Sequence, residues 1–185
     1  MKLYLLRHAE RGHGKKQDTL VKEGVKQSNL IINSLSKLGI EKIYCSDSKR
    51  TKKTIEPFLK NFNGEVIYTD EINELRMGVL EGKSGKEYNE MLEKSGLSKE
   101  DFRPPKGENF EDFRNRVKKF IESLKDEKKE KVLLVTHGGV IRNFIKSLIN
   151  LPPEEISKID FVSLTTFEID GDFQVISYSL NEKII

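Results

Sequence analysis

Short apolar blocks and helical stripes alternate along this chain, and their order predicts its elements. Leu3-Tyr4-Leu5-Leu6, Ile43-Tyr44-Cys45, Val66-Ile67-Tyr68 and Val132-Leu133-Leu134-Val135 are runs of strand length. The last is wholly apolar, as a parallel strand covered on both faces should be. Val25, Leu30, Ile32, Leu35 and Leu38 give an imperfect helical pattern that Gly39 ends. Ser46-Asp47-Ser48 offers caps for a helix reaching about Phe62, in which Pro57 forecasts a kink or early stop. A polar helix over 86–94 leads into the breaker-rich DFRPPKGEN. The clearest helix follows, with Phe110, Phe113, Val117, Phe120, Ile121 and Leu124 forming one stripe. After a Gly-Gly turn, Val140, Ile141, Phe144, Ile145, Leu148 and Ile149 mark the inward face of another. Segments 161–169 and 173–178, joined through Asp170-Gly171-Asp172, read as a closing hairpin. Strands alternating with helices predict an α/β fold with a mostly parallel central sheet.

Composition narrows the picture. The 185 residues fit one domain, 1–185, with its own core. Charged residues at 34% against 36% hydrophobic describe a globular chain rather than a disordered one. The net charge of +3 is mild and its basic residues are spread out, so no nucleic-acid partner is expected. No run approaches a membrane span, and Leu3–Leu6 is too short for a signal peptide, so no membrane association is expected either. The single cysteine, Cys45, permits no internal disulfide and reads as a small buried strand residue. A reducing cytoplasm is the expected compartment.

Candidate chemistry gathers at the strand ends, where α/β sheets bind ligands. Arg7-His8, Ser46 to Arg50 and His137-Gly138-Gly139 each follow a predicted strand. Singly these read as a surface charge, a structural histidine and a tight turn. Delivered by separate strands to one edge, they fit an oxyanion carrying more than one charge. Arg7 and Arg50 would each donate forked hydrogen bonds to phosphate oxygens. The amides after His137 open a helix, whose N-terminus favours an anion. Guanidinium neighbours would lower the pKa of His8 and keep a ring nitrogen free to attack a clamped phosphoryl group. A leaving alkoxide also needs a proton, for which Glu10, Asp47, Glu74 and Glu81 are candidates.

RHAE at 7–10, SDSKRTKKT at 46–54, NELRMGVLEG at 73–82 and VTHGGVIRNFI at 135–145 resemble, in order, the blocks of the histidine phosphatase superfamily. This is also called the phosphoglycerate mutase-like family. GENFEDFRNRV at 107–117 resembles the segment before its last core strand. The resemblance implies a three-layer α/β/α fold. It makes His8 the phosphohistidine, has Arg7 and Arg50 bind phosphate beside Gly138, and sets His137 to hydrogen-bond the transferring phosphoryl oxygens. Glu74 falls where the family has its proton donor, while Glu81 is structural. No metal and no cofactor are implied. The opening departs from the family's Arg-His-Gly-Glu-Thr run: here it is RHAERGHG, and Gly14 stands where a phosphate-binding Asn would be. His13 reads as an exposed loop residue.

The expected function is metal-independent hydrolysis of a small phosphorylated metabolite. Mutase-type transfer to a second hydroxyl and hydrolysis of protein phosphohistidine are the alternatives within the family. Outside it stand a phosphoryl-binding module without turnover and a metal hydrolase, which lacks a local ligand motif such as HExxH. The prolines and glycine of segment 97–108 suggest either a semi-rigid lid on the leaving-group pocket or a plain connector.

Overall fold

The computed structural model of the chain describes residues 1–151, 156 and 158–185. Its strands are β1 (Lys2–Arg7), β2 (Lys42–Ser46), β3 (Glu65–Thr69), β4 (Lys131–Thr136), β5 (Ser163–Ile169) and β6 (Val175–Lys183). They form one sheet in the order β3-β2-β4-β1-β5-β6. The first four in that order run parallel, and β5 and β6 complete an antiparallel edge. Because alternate strand residues point to opposite faces, each central strand feeds two cores. Leu3, Leu5, Val132 and Leu134 pack on α4 (Phe110–Ser123) and α5 (Gly138–Ile149), through Phe113, Val117, Phe120, Val140, Ile141 and Phe144. Tyr4, Leu6, Leu133 and Val135 pack on α1 (Lys22–Ser36) and α2 (Lys49–Leu59), through Ile31, Leu35, Ile55 and Phe58. The result is three layers, α/β/α.

Local chemistry sets the helix ends. Asn109 accepts the Asp112 amide at 2.8 Å while the Asp112 carboxylate reaches back to the Asn109 amide, a capping box that starts α4. Ser84 and Glu87 do the same for α3 (Gly85–Ser95), which has no buried residue and lies outside both cores. Ser48 caps α2, which stops at Leu59, two residues after Pro57 and short of the expected Phe62. Helix α1 departs further from the pattern. Val25 and Leu30 are half or more exposed, and the buried face is instead Gly24, Ser28, Ile31 and Leu35. The apolar stripe misled because its inward face contains a glycine and a serine. Gly24 is required there: a Cβ would stand 2.0 Å from the Glu10 carbonyl oxygen. That approach seats α1 against the segment just after His8.

Four parallel strands bring the carboxyl ends of β1, β2 and β4 to one edge of the sheet. The chain leaves β1 toward β2 on one side and returns from β4 to β5 on the other, so the edge lies at a topological switch point. Among the described residues no helix is long and apolar enough to cross a membrane.

The corrected face of α1 gives a direct check by chemical denaturation. Ile31→Ala should cost about 2–5 kcal/mol, the scale for truncating a buried aliphatic side chain. Val25→Lys and Leu30→Lys should each stay within about 0.5 kcal/mol of the wild type.

Candidate active site

The β1–β4 ladder extends one residue past the strands. Arg7 pairs with Thr136, and the His8 amide still donates to the Thr136 carbonyl at 3.0 Å. His8 and His137 therefore leave adjacent strands together, with ring centroids 5.2 Å apart. The Ala9 amide donates to Thr54 Oγ1 at 2.9 Å, and that hydroxyl donates to the Arg50 carbonyl at 2.7 Å. The histidine loop is thereby fixed to the helix that carries Arg50.

Both rings have definite tautomers, because their partners can play only one role. His8 Nδ1 lies 2.8 Å from the Ala9 carbonyl, which can only accept, so Nδ1 carries the proton and Nε2 does not. His137 Nδ1 accepts from Arg50 Nη2 at 2.9 Å, so its proton is on Nε2, which donates to Ser46 Oγ at 2.7 Å. Ser46 in turn donates to Asn73 Oδ1 at 2.5 Å. Burial is the main cause that pushes His8 down to about 3, reinforced by the charges of Arg50, Arg7 and Arg11 against the opposing Ala9 hydrogen bond. Burial and the Arg50 charge likewise hold His137 well below the usual imidazole range. Both imidazoles are neutral at neutral pH.

The two arginines are each held on one side and open on the other. Arg7 gives Nη1 to the Ile159 carbonyl and stacks over Phe161 at 4.0 Å. Arg50 gives Nη1 to Asp18 at 3.1 Å and Nη2 to His137. The Nε of each is buried without a hydrogen-bond partner. A buried N–H donor left unpaired costs free energy, and two of them beside a pair of neutral histidines suit an oxyanion. Gly138, the first residue of α5, lies against the Arg7 guanidinium.

The carboxylates are sorted by geometry as the sequence could not sort them. Glu74 Oε2 accepts the Gly139 amide at the start of α5 at 3.1 Å, and Oε1 accepts the Leu75 amide at 3.2 Å. A Cβ at Gly139 would stand 2.1 Å from Glu74 Oε1, so only glycine allows this seat. Asp47 is paired with Lys52, and Glu81 is taken by Gln17 and the Met77 amide. Glu10 is absent from the cleft wall.

That cleft, about 1010 Å³, is lined by Arg50, Glu74, His137 and Gly139 among others. Arg7 and His8 lie behind this wall rather than on it, with His8 only 2% exposed. Gly14 lines the rim in a left-handed conformation (φ 57°), its carbonyl facing Gly82, while Gln17 bonds Glu81 across the same gap at 2.6 Å. His13 is exposed and is not one of the residues that line the cleft. Segment 97–108 touches the cleft through Glu100 but is anchored by buried Phe102 and Pro104 and by hydrogen bonds to the Arg76–Val79 turn. Cys45 lies in the core, its thiol pushed up by burial to about 12. Among the described residues no group of three His, Cys, Asp or Glu side chains could hold a metal ion.

Several supporting residues escaped the sequence reading. Asp18 meets Arg50 from a loop thirty-two residues away, and Asn73 orients Ser46; neither has a local signal. Arg116 is the most consequential. Its guanidinium, 12% exposed, grips Glu108 with Nε at 2.7 Å and Nη2 at 2.8 Å. It also donates to the carbonyls of Asp70, Glu71, Asn73 and Glu74, so one side chain fixes the loop that carries Glu74. Burial alone would raise the Glu108 carboxyl, but Arg116 and the Arg76 amide outweigh it and hold the group below its ordinary value. Both residues sit inside the GENFEDFRNRV block, where their spacing could have been noticed.

The profile of the histidine phosphatase superfamily (branch 1) matches residues 3–181. The chain belongs to this superfamily. It is 29% identical over 166 residues, 82% of its length and 76% of the relative's, to "Probable phosphoglycerate mutase GpmB" of Escherichia coli. Its fold is similar to that of alpha-ribazole phosphatase from Shigella flexneri, with a TM-score of 0.83 at 24% identity over 100% of this chain and 96% of that one. It is also similar to mycobacterial glucosyl-3-phosphoglycerate phosphatase, with a TM-score of 0.77 at 20% identity over 98% and 99% of the two chains.

Two outcomes are expected from this geometry. Arg116→Met takes its two-pronged partner from the buried Glu108 carboxylate and leaves it only the Arg76 amide and a 3.8 Å contact with the Arg76 guanidinium, so denaturant unfolding should show a loss of up to about 3–5 kcal/mol. The second concerns acid. Above about pH 6.5 both histidines are neutral whether folded or not, and their titration adds nothing. As pH falls below that value the unfolded chain binds protons that the folded rings refuse. Stability should therefore drop by up to about 1.4 kcal/mol per pH unit for each ring, down toward pH 3 for His8. His8→Asn should flatten the slope of unfolding free energy between pH 6.5 and 5; an unchanged slope would mean His8 titrates normally.

Proposed function

We propose that this chain is a metal-independent phosphomonoesterase that hydrolyses a small phosphorylated metabolite through a phosphohistidine at Nε2 of His8. The observation that carries the reading is the tautomer of His8. Its Nδ1–H is spent on the Ala9 carbonyl, so the lone pair of Nε2 is the ring's free nucleophile. In the first half of the reaction Nε2 attacks phosphorus and the bond from phosphorus to the alcohol oxygen breaks. The Nε–H groups of Arg7 and Arg50 take phosphoryl oxygens, supplying in the site the charge stabilisation that oriented donors provide. Glu74 gives a proton to the departing alkoxide. In the second half the Glu74 carboxylate takes a proton from water, the water oxygen attacks phosphorus, and the phosphorus–nitrogen bond breaks. His137 holds the Nη2 side of Arg50 in place through a ring fixed by Ser46 and Asn73.

Transfer to a second hydroxyl instead of water is the alternative that the name of the GpmB relatives carries. The two share the first half-reaction and part at the second. The names of the similar solved structures, which are phosphatases, favour hydrolysis.

The test is acid-quenched enzyme after brief exposure to a phosphomonoester. A base-stable, acid-labile phosphoryl group should appear on His8 and vanish in His8→Ala. Glu74→Gln should slow His8 phosphorylation roughly a hundredfold or more with an alkyl phosphate, the scale of positioned acid catalysis, and far less with nitrophenyl phosphate. Label on another residue would overturn the mechanism, and equal losses on both substrates would remove Glu74 as the acid.

A further inference from the structure

Glu74 is held at both ends, its carboxylate by one helix and its backbone by another. The carboxylate is seated on the first turn of α5, where Oε2 accepts the Gly139 amide at 3.1 Å. The backbone is fixed from α4 and the turn before it, on both sides of the residue. On one side Arg116 gives Nη1 to the carbonyls of Glu71 at 2.6 Å and Asn73 at 3.0 Å, and Nη2 to that of Glu74 itself at 3.4 Å. On the other, the Arg76 amide donates to Glu108 Oε2 at 3.2 Å, and the Arg76 carbonyl accepts the Glu108 amide at 2.9 Å. The two sides form one bracket, because Arg116 grips Glu108 through Nε and Nη2. Close packing leaves the bracket little play: a Cβ at Gly107 would stand 2.7 Å from the Arg76 carbonyl oxygen, and one at Gly78 2.2 Å from that of Pro105. Arg116 and Glu108 are not among the residues that line the cleft, so their path to the reacting atoms runs through Glu74.

We infer that Arg116, with Glu108, is a positioning residue for proton transfer: it sets where the Glu74 carboxyl meets the leaving oxygen, and so how steeply the rate depends on the leaving group. This rests on the proposed role of Glu74 as the acid. The proton passes from Glu74 to the alcohol oxygen as the phosphorus–oxygen bond breaks, and that requires heavy atoms about 2.6–3.2 Å apart. A misplacement of about 1 Å costs about a hundredfold. The Leu75 amide that also holds the carboxylate belongs to the same loop and moves with it. Gly139 therefore fixes the far end of the side chain, and the bracket fixes the near end.

Single-turnover phosphorylation of His8 tests this with Arg116→Lys, which keeps a charge beside Glu108 but loses the fork. With an alkyl phosphate the rate should fall about tenfold or more, and with nitrophenyl phosphate it should stay within about twofold of the wild type. In a Glu74→Gln background the same substitution should cost nothing further on either substrate, since the group it positions is gone. Glu108→Gln keeps an acceptor for the Arg76 amide but not the charge for Arg116, and should show the same selective loss. Val117→Ala, a truncation at the next residue of α4 in the buried core, should lower stability and leave both rates unchanged. Equal losses on the two substrates, an unchanged alkyl phosphate rate, or an undiminished loss without Glu74 would overturn the positioning role. If Glu74→Gln alone shows the leaving-group dependence and the Arg116 and Glu108 variants do not, the acid stands and only this inference falls. If Glu74→Gln shows none, Glu74 is not the acid and the positioning role falls with it.

Discussion

Everything in this site depends on a neutral imidazole held among cationic neighbours. Burial alone disfavours a charged His8, and Arg7, Arg50 and Arg11 disfavour it further. The same arginines are what an oxyanion requires. One electrostatic arrangement thus keeps the ring nucleophilic and makes the adjacent space attractive to phosphate. The Ala9 carbonyl then settles which nitrogen is free. A charged ring would still attract phosphate but would have no lone pair with which to attack it.

The fold supplies this arrangement through close approaches that only particular residues permit. Gly24 lets α1 press on the backbone after His8, and Gly139 opens room for Glu74 at the start of α5. Thr54 joins the His8 loop to the helix of Arg50, and Thr136 Oγ1 donates to the Ile72 carbonyl just before the loop of Glu74. Arg116 then grips that loop through four carbonyls. Most of these are hydrogen bonds from buried side chains to main chain, so they fix backbone positions rather than merely adding stability. Precision at the site comes from elements far apart in sequence.

Much of the fold was legible in advance because buried parallel strands and the α4 and α5 stripes are strong local patterns. Helix α1 was legible in extent but not in orientation, since its inward face uses Gly24 and Ser28 where a hydrophobic reading looks for aliphatic residues. The gathering of Arg7, His8, Arg50, His137 and Gly138 at one sheet edge was legible from their strand-end positions, and Glu74 was singled out from four candidate carboxylates only through the family resemblance. Four carboxylates looked equivalent along the chain, and only three-dimensional partners distinguish the seat of Glu74 from those of Asp47 and Glu81. Asp18, Asn73 and Arg116 were invisible for the same reason. Each acts on a residue dozens of positions away, and no spacing rule reports such a pairing.

The central claim is that His8 is neutral, with its proton on Nδ1 and its Nε2 free. Nitrogen-15 NMR of the histidine rings, followed from pH 8 to pH 5, measures this directly. The account predicts that His8 keeps a protonated Nδ1 and an unprotonated Nε2 throughout, without a titration step. A midpoint near the ordinary imidazole value, or a proton found on Nε2, would contradict it.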